Sequence, residues 1–363
     1  MLITIVAGAR PNFIKISPII NAIKSAKNEN FDINYRLVHT GQHFDKSMSG
    51  DFFDQLGIPV PDTNLQCGGG TQAQQAAMIM VEFEKELSQF KPNIVLVVGD
   101  VTSTMACAIT AKKMGIRTVH VEAGIRSGDM TMPEEINRII TDAISDAYFT
   151  TSLIANNNLR ALSIPEHKIH FVGNTMIDTL VQQISYLKEP CFWNSLNLTS
   201  NEYLLLTLHR PSNVDDPIKL KSLLTTIANL ASGIKVVFPI HPRTSNVLSQ
   251  LKLAFENIEF VSPQPYLEFI YLIKNARGVI TDSGGITEEA TYLKVPCITL
   301  RNSTERPETV LYGTNELVGD DPEKLEKYIS LMKAGTWKES SCPILWDGQT
   351  AKRIVNVLLT EYA

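Results

Sequence analysis

The chain reads as an α/β protein of two Rossmann-like domains facing each other across a cleft, each a parallel sheet flanked by helices. Short β-rich apolar runs alternate with longer helical patterns, the signature of βαβ units. The alternation starts afresh after a polar, proline-containing stretch near the middle. A length of 363 residues suits two domains of about 150 residues each.

Strand candidates in the first half are Leu2–Ala7, Tyr35–His39, Ile94–Val98, Thr118–Glu122, Ala147–Thr150 and Ile169–Val172. Helical stretches fall between them, among them Phe13–Ser25, Ala73–Leu87 and Thr102–Lys113. The second half repeats the style at Tyr203–Thr207, Lys235–Pro239, Ile258–Val261, Gly278–Thr281 and Cys297–Leu300. Lys188-Glu189-Pro190 and the polar Asn194–Asn201 stretch mark the boundary, giving expected domains of 1–185 and 186–349. The spacing of Ile354, Val355, Val357 and Leu358 predicts a last helix, 350–363, packing back on the first domain.

Composition excludes several classes. With 44% hydrophobic and 20% charged residues the chain can bury proper cores, as a soluble protein does. A net charge of -5 argues against electrostatic binding of nucleic acid. The five cysteines (Cys67, Cys107, Cys191, Cys297, Cys342) lack CxxC spacing, which argues against a disulfide framework or zinc site and fits a reducing compartment. Met1–Ala7 reads as a buried strand, not a signal segment, and no run approaches the ~20 apolar residues of a membrane span. A cytoplasmic enzyme is expected.

In open α/β sheets ligands lie beyond the carboxyl ends of the strands, so the chemistry is sought there. The first turn, Gly8-Ala9-Arg10-Pro11-Asn12-Phe13-Ile14-Lys15, has neither GxGxxG nor a P-loop lysine pattern, so nucleotide-cofactor chemistry loses support. It sets Arg10 and Lys15 near a helix N-terminus, which suits an anion, although a solvated surface turn reads equally well. Asp100 follows the third strand, before a helix that Thr102 or Ser103 could cap. Glu122 ends the next strand, either facing something useful or pairing with Arg126. Pro133 opens a further helix with Glu134 and Glu135 in its first turn, where dipole compensation is the plainer account. Carboxylates crowded in one cleft push their pKa values apart, which is how acid and base roles arise.

His209 and His241 follow the first two strands of the second half. Thr281-Asp282-Ser283-Gly284-Gly285-Ile286 reads as a strand end, a glycine pair and a helix start, a nest for phosphate oxygens. Arg301 and Arg306 add guanidinium after the last core strand, suited to diphosphate or to pairing Glu308. The histidines lack HxxH or HExxH spacing and there is no Asp-rich loop, so no metal is expected; GxSxG is absent too.

The motifs GARPNFIK, HTGQH (His39–His43), VGDVTST, HVEAGIRS, PEEINR, GNTMIDTL (Gly173–Leu180), LHRPSN, ITDSGGITEEA and RNSTERPETV form an ordered set. Over essentially its whole length the chain resembles the non-hydrolysing UDP-N-acetylglucosamine 2-epimerases. The resemblance implies a glycosyltransferase-B-like fold, a homodimer and no cofactor. It also implies interconversion of UDP-N-acetylglucosamine and UDP-N-acetylmannosamine for cell-surface polysaccharide precursors. By motif, it implies that Arg10 and Lys15 lie near the diphosphate and sugar, Ser283, Gly284 and Gly285 at the phosphates, and Glu289 at the ribose hydroxyls. Arg306 and His241 match nucleotide-side contacts, Tyr266 the uracil pocket, and Asp100, Glu122, Glu134 and His209 the catalytic groups. The chain departs from the best-studied branch at His43-Phe44-Asp45-Lys46 and Arg210-Pro211-Ser212, so a second, activating substrate site does not carry over with the rest. That style is also similar to relatives acting on diacetamido-uronic acid or deoxy sugars.

The implied chemistry is self-consistent. The C2 proton is not α to a carbonyl, so simple enolisation cannot remove it. Expelling UDP from C1 while a carboxylate takes that proton gives a 2-acetamidoglucal, and re-addition with protonation from the opposite face completes the inversion. A hydrolysing epimerase would instead release free sugar. A glycosyltransferase would want an acceptor surface, and a non-catalytic sugar-nucleotide sensor would not need Asp100, Glu122 and Glu134 together.

Overall fold

Among the described residues of the computed structural model, 1–41, 55–251 and 253–362, the apolar runs build two separate parallel sheets. The first contains β1 (Leu2–Ala7), β2 (Asn34–His39), β3 (Thr63–Asn64), β4 (Ile94–Val98), β5 (Arg117–Ala123), β6 (Ala147–Thr150) and β7 (Ile169–Phe171), in the order β3-β2-β1-β4-β5-β6-β7. The second contains β8 (Tyr203–Thr207), β9 (Lys235–Pro239), β10 (Ile258–Val261), β11 (Gly278–Thr281), β12 (Cys297–Thr299) and β13 (Asn315–Leu317), in the order β10-β9-β8-β11-β12-β13. Every residue of β4 and of β8 is buried, as expected of strands covered on both faces by crossover helices. β3 and β13 escape the sequence reading because two or three residues carry no usable periodicity.

The first sheet is wrapped by α1 (Arg10–Asn28), α2 (Gln72–Gln89), α3 (Thr102–Lys113), α4 (Pro133–Ile144), α5 (Leu153–Ala161) and α6 (Thr175–Gln183). Around the second lie α7 (Pro211–Val214), α8 (Pro217–Leu230), α9 (Pro242–Leu251), α10 (Tyr266–Asn275), α11 (Gly284–Tyr292), α12 (Pro307–Leu311) and α13 (Pro322–Ala334). Each sheet has its own core, with Val38, Phe83, Val95 and Ala111 in one and Leu204, Leu224, Phe238 and Ile298 in the other.

Contacts divide the chain into a unit of Met1–Gln182 with Ile344–Ala363 and a unit of Gln183–Pro343. The last helix, α14 (Thr350–Glu361), packs on α1 and so belongs to the first unit. Its start is held by Asp178 of α6, whose carboxylate accepts from Thr350 N at 3.1 Å and Ala351 N at 2.7 Å. The polar stretch after Pro190 is no loose linker. It packs into the second unit, where Trp193 is buried edge-on against Tyr203 and Tyr271 at 5.7 and 5.2 Å.

In both sheets the strand order reverses beside the first strand of the unit, at β1/β4 and at β8/β11. In open α/β sheets such a reversal marks the crevice in which ligands bind.

Candidate active site

At the β1/β4 switch point the first turn is tied down by Asn12. Its Oδ1 accepts from Gly8 N and Ala9 N at 3.1 and 3.0 Å, and its Nδ2 donates to Val98 O at 3.0 Å. This brings α1, with Arg10 as its first residue and Lys15 one turn on, against the end of β4. Arg10 is half-buried, and that burial lowers the pKa of its guanidinium. Gly99 has φ +69, a left-handed conformation that favours glycine, and a Cβ there would lie 3.2 Å from Lys15 Nζ.

Lys15 is not a solvated surface cation. Its ammonium lies 2.6 Å from Glu122 Oε2, and both side chains are nearly buried. Arg126, offered by the sequence as a partner of Glu122, goes to Asp142 at 2.7 Å. Glu122 has φ +72, and the β5–β6 register shifts between Val121 and Ala123. A bulge thus re-aims this carboxylate away from the alternation of the strand.

Asp100 is held from α4, where Arg138 Nη2 reaches its Oδ2 at 2.5 Å and Asn137 Nδ2 donates to its carbonyl at 2.8 Å. The expected cap is corrected here. Val101 is the N-cap of α3 and makes no side-chain bond, while the Ser103 and Thr40 hydroxyls meet at 2.7 Å. Glu134 is half-buried in the first turn of α4, three and four residues before Asn137 and Arg138, and so shares their face. Glu135 is structural: it accepts from Ser127 N and Gly128 N at 2.9 and 3.1 Å and pairs with Arg138 at 2.7 Å. Asp100 and Glu122 therefore stand at adjacent strand ends, each beside a buried cation.

At the β8/β11 switch point Asp282 is the organiser. Fully buried, it accepts from His209 N, Arg210 N and Asn213 Nδ2, and its Oδ1 lies 2.8 Å from His209 Nδ1. Burial alone would raise this carboxyl, but the His209 bond, its charge and the amide donors bring it below the ordinary value. His209 and His241 stack obliquely with centroids 5.7 Å apart, and His241 itself is exposed.

Ser283 is the extended N-cap of α11, and Gly284 and Gly285 form its first turn. Neither glycine has positive φ, so the expected nest is instead a plain helix N-terminus with free N–H donors. A Cβ on Gly284 would lie 3.2 Å from Glu305 Oε1, and the other oxygen of that carboxylate pairs with Arg301 at 2.8 Å. Against the raising effect of burial, Arg301 and then Arg306 hold the Glu305 carboxyl at about 2. Arg306 is buried with Nε 2.6 Å from Glu288.

Glu289 and Tyr266 are buried together, the Tyr266 hydroxyl near the Glu289 carboxyl. Burial, followed by the Glu288 charge, raises Glu289 to about 8 from its ordinary 4.5. A raised carboxyl holds its proton more tightly folded than unfolded, so this group favours the native state most at low pH. Its contribution fades as pH climbs from about 4.5 to about 8. Urea midpoints of the parent should therefore fall relative to Glu289→Gln across that window; parallel pH profiles would refute the shift.

Asn12, Arg138 and Asp282 went unassigned in the sequence reading although each lies inside a quoted motif. Their roles are to bond backbone and other side chains, which no spacing announces. Residues 43–46, where the chain departs from the best-studied branch, lie outside the described residues. Among the described residues no cluster of three His, Cys, Asp or Glu side chains is placed to hold a metal ion, and no helix is long and apolar enough to cross a membrane.

A family model described as UDP-N-acetylglucosamine 2-epimerase matches residues 24–359. The chain belongs to this family. It is 42% identical over 371 residues to a UDP-N-acetylglucosamine 2-epimerase of Methanocaldococcus jannaschii, covering 99% of each chain. The crystal structure of that organism's enzyme in complex with UDP-GlcNAc and UDP superposes with a TM-score of 0.87, again over 99% of each chain at 42% identity. The epimerase fold, of the glycosyltransferase-B-like class, is thereby shown. The chain is also 41% identical over 323 residues to a UDP-2,3-diacetamido-2,3-dideoxy-D-glucuronate 2-epimerase of Pseudomonas aeruginosa, with 88% of each covered.

Proposed function

We propose that this epimerase-family protein interconverts UDP-N-acetylglucosamine and UDP-N-acetylmannosamine by eliminating and re-adding UDP. The observation that carries the reading is the pair Asp100 and Glu122 at adjacent strand ends, each beside a buried cation. A carboxyl group placed at C2 can take or deliver a proton there. One of Asp100, Glu122 and Glu134 takes the C2 proton as the C1–O bond breaks, its electrons leaving with UDP, and C1=C2 forms. Another delivers a proton to the opposite face of C2 as a UDP oxygen returns to C1. The second unit supplies the nucleotide side: the α11 N-terminus, Arg306 and His241 for phosphates, Glu289 for ribose hydroxyls and Tyr266 for uracil. His209, oriented by Asp282, serves the departing diphosphate. Elimination needs no hydride acceptor, so no cofactor enters.

A second reading, a diacetamido-uronic acid sugar as substrate, is favoured by the nearly equal identity to the Pseudomonas aeruginosa enzyme. A cytoplasmic homodimer making precursors of cell-surface polysaccharide completes the proposal. Exposed Met78 and Val81, three apart on α2, support a subunit contact, to be checked by sedimentation.

Incubation with UDP-N-acetylglucosamine in D2O, without added NAD or metal, should place deuterium at C2 and yield both epimers. Stoichiometric free sugar would reassign the protein as a hydrolysing epimerase. Binding without exchange, alongside exchange in the diacetamido-glucuronate, would establish the second reading.

A further inference from the structure

A group of buried polar side chains beside the carboxylates takes no direct part in the chemistry above. His120, fully buried in β5, stands two residues before Glu122. Its Nε2 lies 2.9 Å from the carbonyl of Gly99, the residue preceding Asp100. Its Nδ1 lies 2.7 Å from Asp142 Oδ1 on α4. A carbonyl only accepts, so Nε2 carries hydrogen. Burial would raise the Asp142 carboxyl, but the His120 bond and charge, with Arg126, take it below the ordinary range. The ring is a strut that joins the Gly99 carbonyl to Asp142.

The other oxygen of Asp142 completes the device. It accepts from Gly124 N at 3.1 Å and pairs with Arg126 Nη1 at 2.7 Å, while Arg126 also donates to Ile125 O at 2.7 Å. Gly124 has φ +77, and a Cβ there would meet the Ala155 carbonyl at 2.4 Å. The 122–126 segment is thus pressed on one side and drawn in on the other. A non-glycine residue at positive φ, such as Glu122, is strained and persists only where its surroundings over-determine it. A buried ionic cluster is weak evidence for stability, which an apolar cluster of equal volume would supply as well. Its placement is informative, because one ring spans the backbone before Asp100 and the carboxylate that holds the bulge of Glu122.

We propose that His120, Asp142 and Arg126 are positioning residues, a clamp that sets Asp100 and Glu122 relative to each other. The kinetic half of this inference rests on the reading of C2 inversion above; the structural half does not. Asp142→Asn and Arg126→Met should each lower kcat about 10- to 100-fold, with KM and UDP affinity within about twofold of the parent. Arg126→Lys, which keeps the charge, should recover most of the loss. Amide exchange of the 122–126 segment, followed by mass spectrometry, should quicken about tenfold in both weakened variants. If Asp142→Asn does not fold, Arg126→Met, whose side chain is 16% exposed, decides. Unchanged amide exchange in a folded variant overturns the clamp whatever the activity, as does an unchanged kcat. Parallel loss of kcat and UDP affinity overturns it too. A parent that inverts neither sugar would sink the function reading alone, because amide exchange still tests the clamp.

Discussion

Glu122→Gln is expected to reduce kcat by about 10²- to 10⁴-fold while UDP binding stays unchanged, the range lost when a positioned proton-transfer group is removed. The substitution keeps the size of the side chain and removes its charge and its capacity to take a proton; because it also breaks the pair with Lys15, turnover is compared per folded protein. Deuterium uptake at C2 should fall in step with turnover, because both need the same proton transfer. Asp100→Asn and Glu134→Gln should behave alike, and their ranking of residual exchange would assign the two faces of C2. Parental turnover in all three would refute the carboxylate assignment, and a loss confined to KM in Glu122→Gln would reduce that residue to a binding group.

Lys15→Met is expected to destabilise the first unit strongly. Breaking a buried pair by removing one partner costs about 3–5 kcal/mol, because an uncompensated charge is left behind. At 2.6 Å and nearly dry, Lys15 and Glu122 meet that description. The double variant Lys15→Met/Glu122→Gln should be more stable than Lys15→Met alone, since no charge is then stranded. Chemical denaturation of the parent, both single variants and the double variant tests this. Strict additivity would mean that the pair is not coupled.

The places where chemistry sits were legible because a parallel sheet sends every strand end to one edge. Asp100, Glu122, His209 and Ser283 could be picked out by position once the strands were recognised. Their partners were not legible. Lys15 meets Glu122 because β1, β4 and β5 lie side by side, an order no local pattern encodes. Arg126 was the nearest cation in sequence and the wrong one, since at the strand tip it turns towards Asp142. Asp142 itself lies four residues after Arg138 and seven after Glu135, so a buried polar face on α4 could have been read from spacing. The α11 turn was legible as a strand end followed by a helix start, but not the closeness of Gly284 to Glu305, which no local pattern encodes.

The return of α14 to the first unit has a consequence for synthesis. Until Thr350 and Ala351 leave the ribosome, Asp178 lacks the two amides that satisfy it in the folded protein, and burial already works against its charge. The second unit, continuous from Gln183 to Pro343, can complete itself while the first waits with one face of α1 uncovered. A released chain truncated just before Thr350 should hold a protease-resistant second unit beside a still-digestible first one. The amino-terminal half would then be the last part of the molecule to mature.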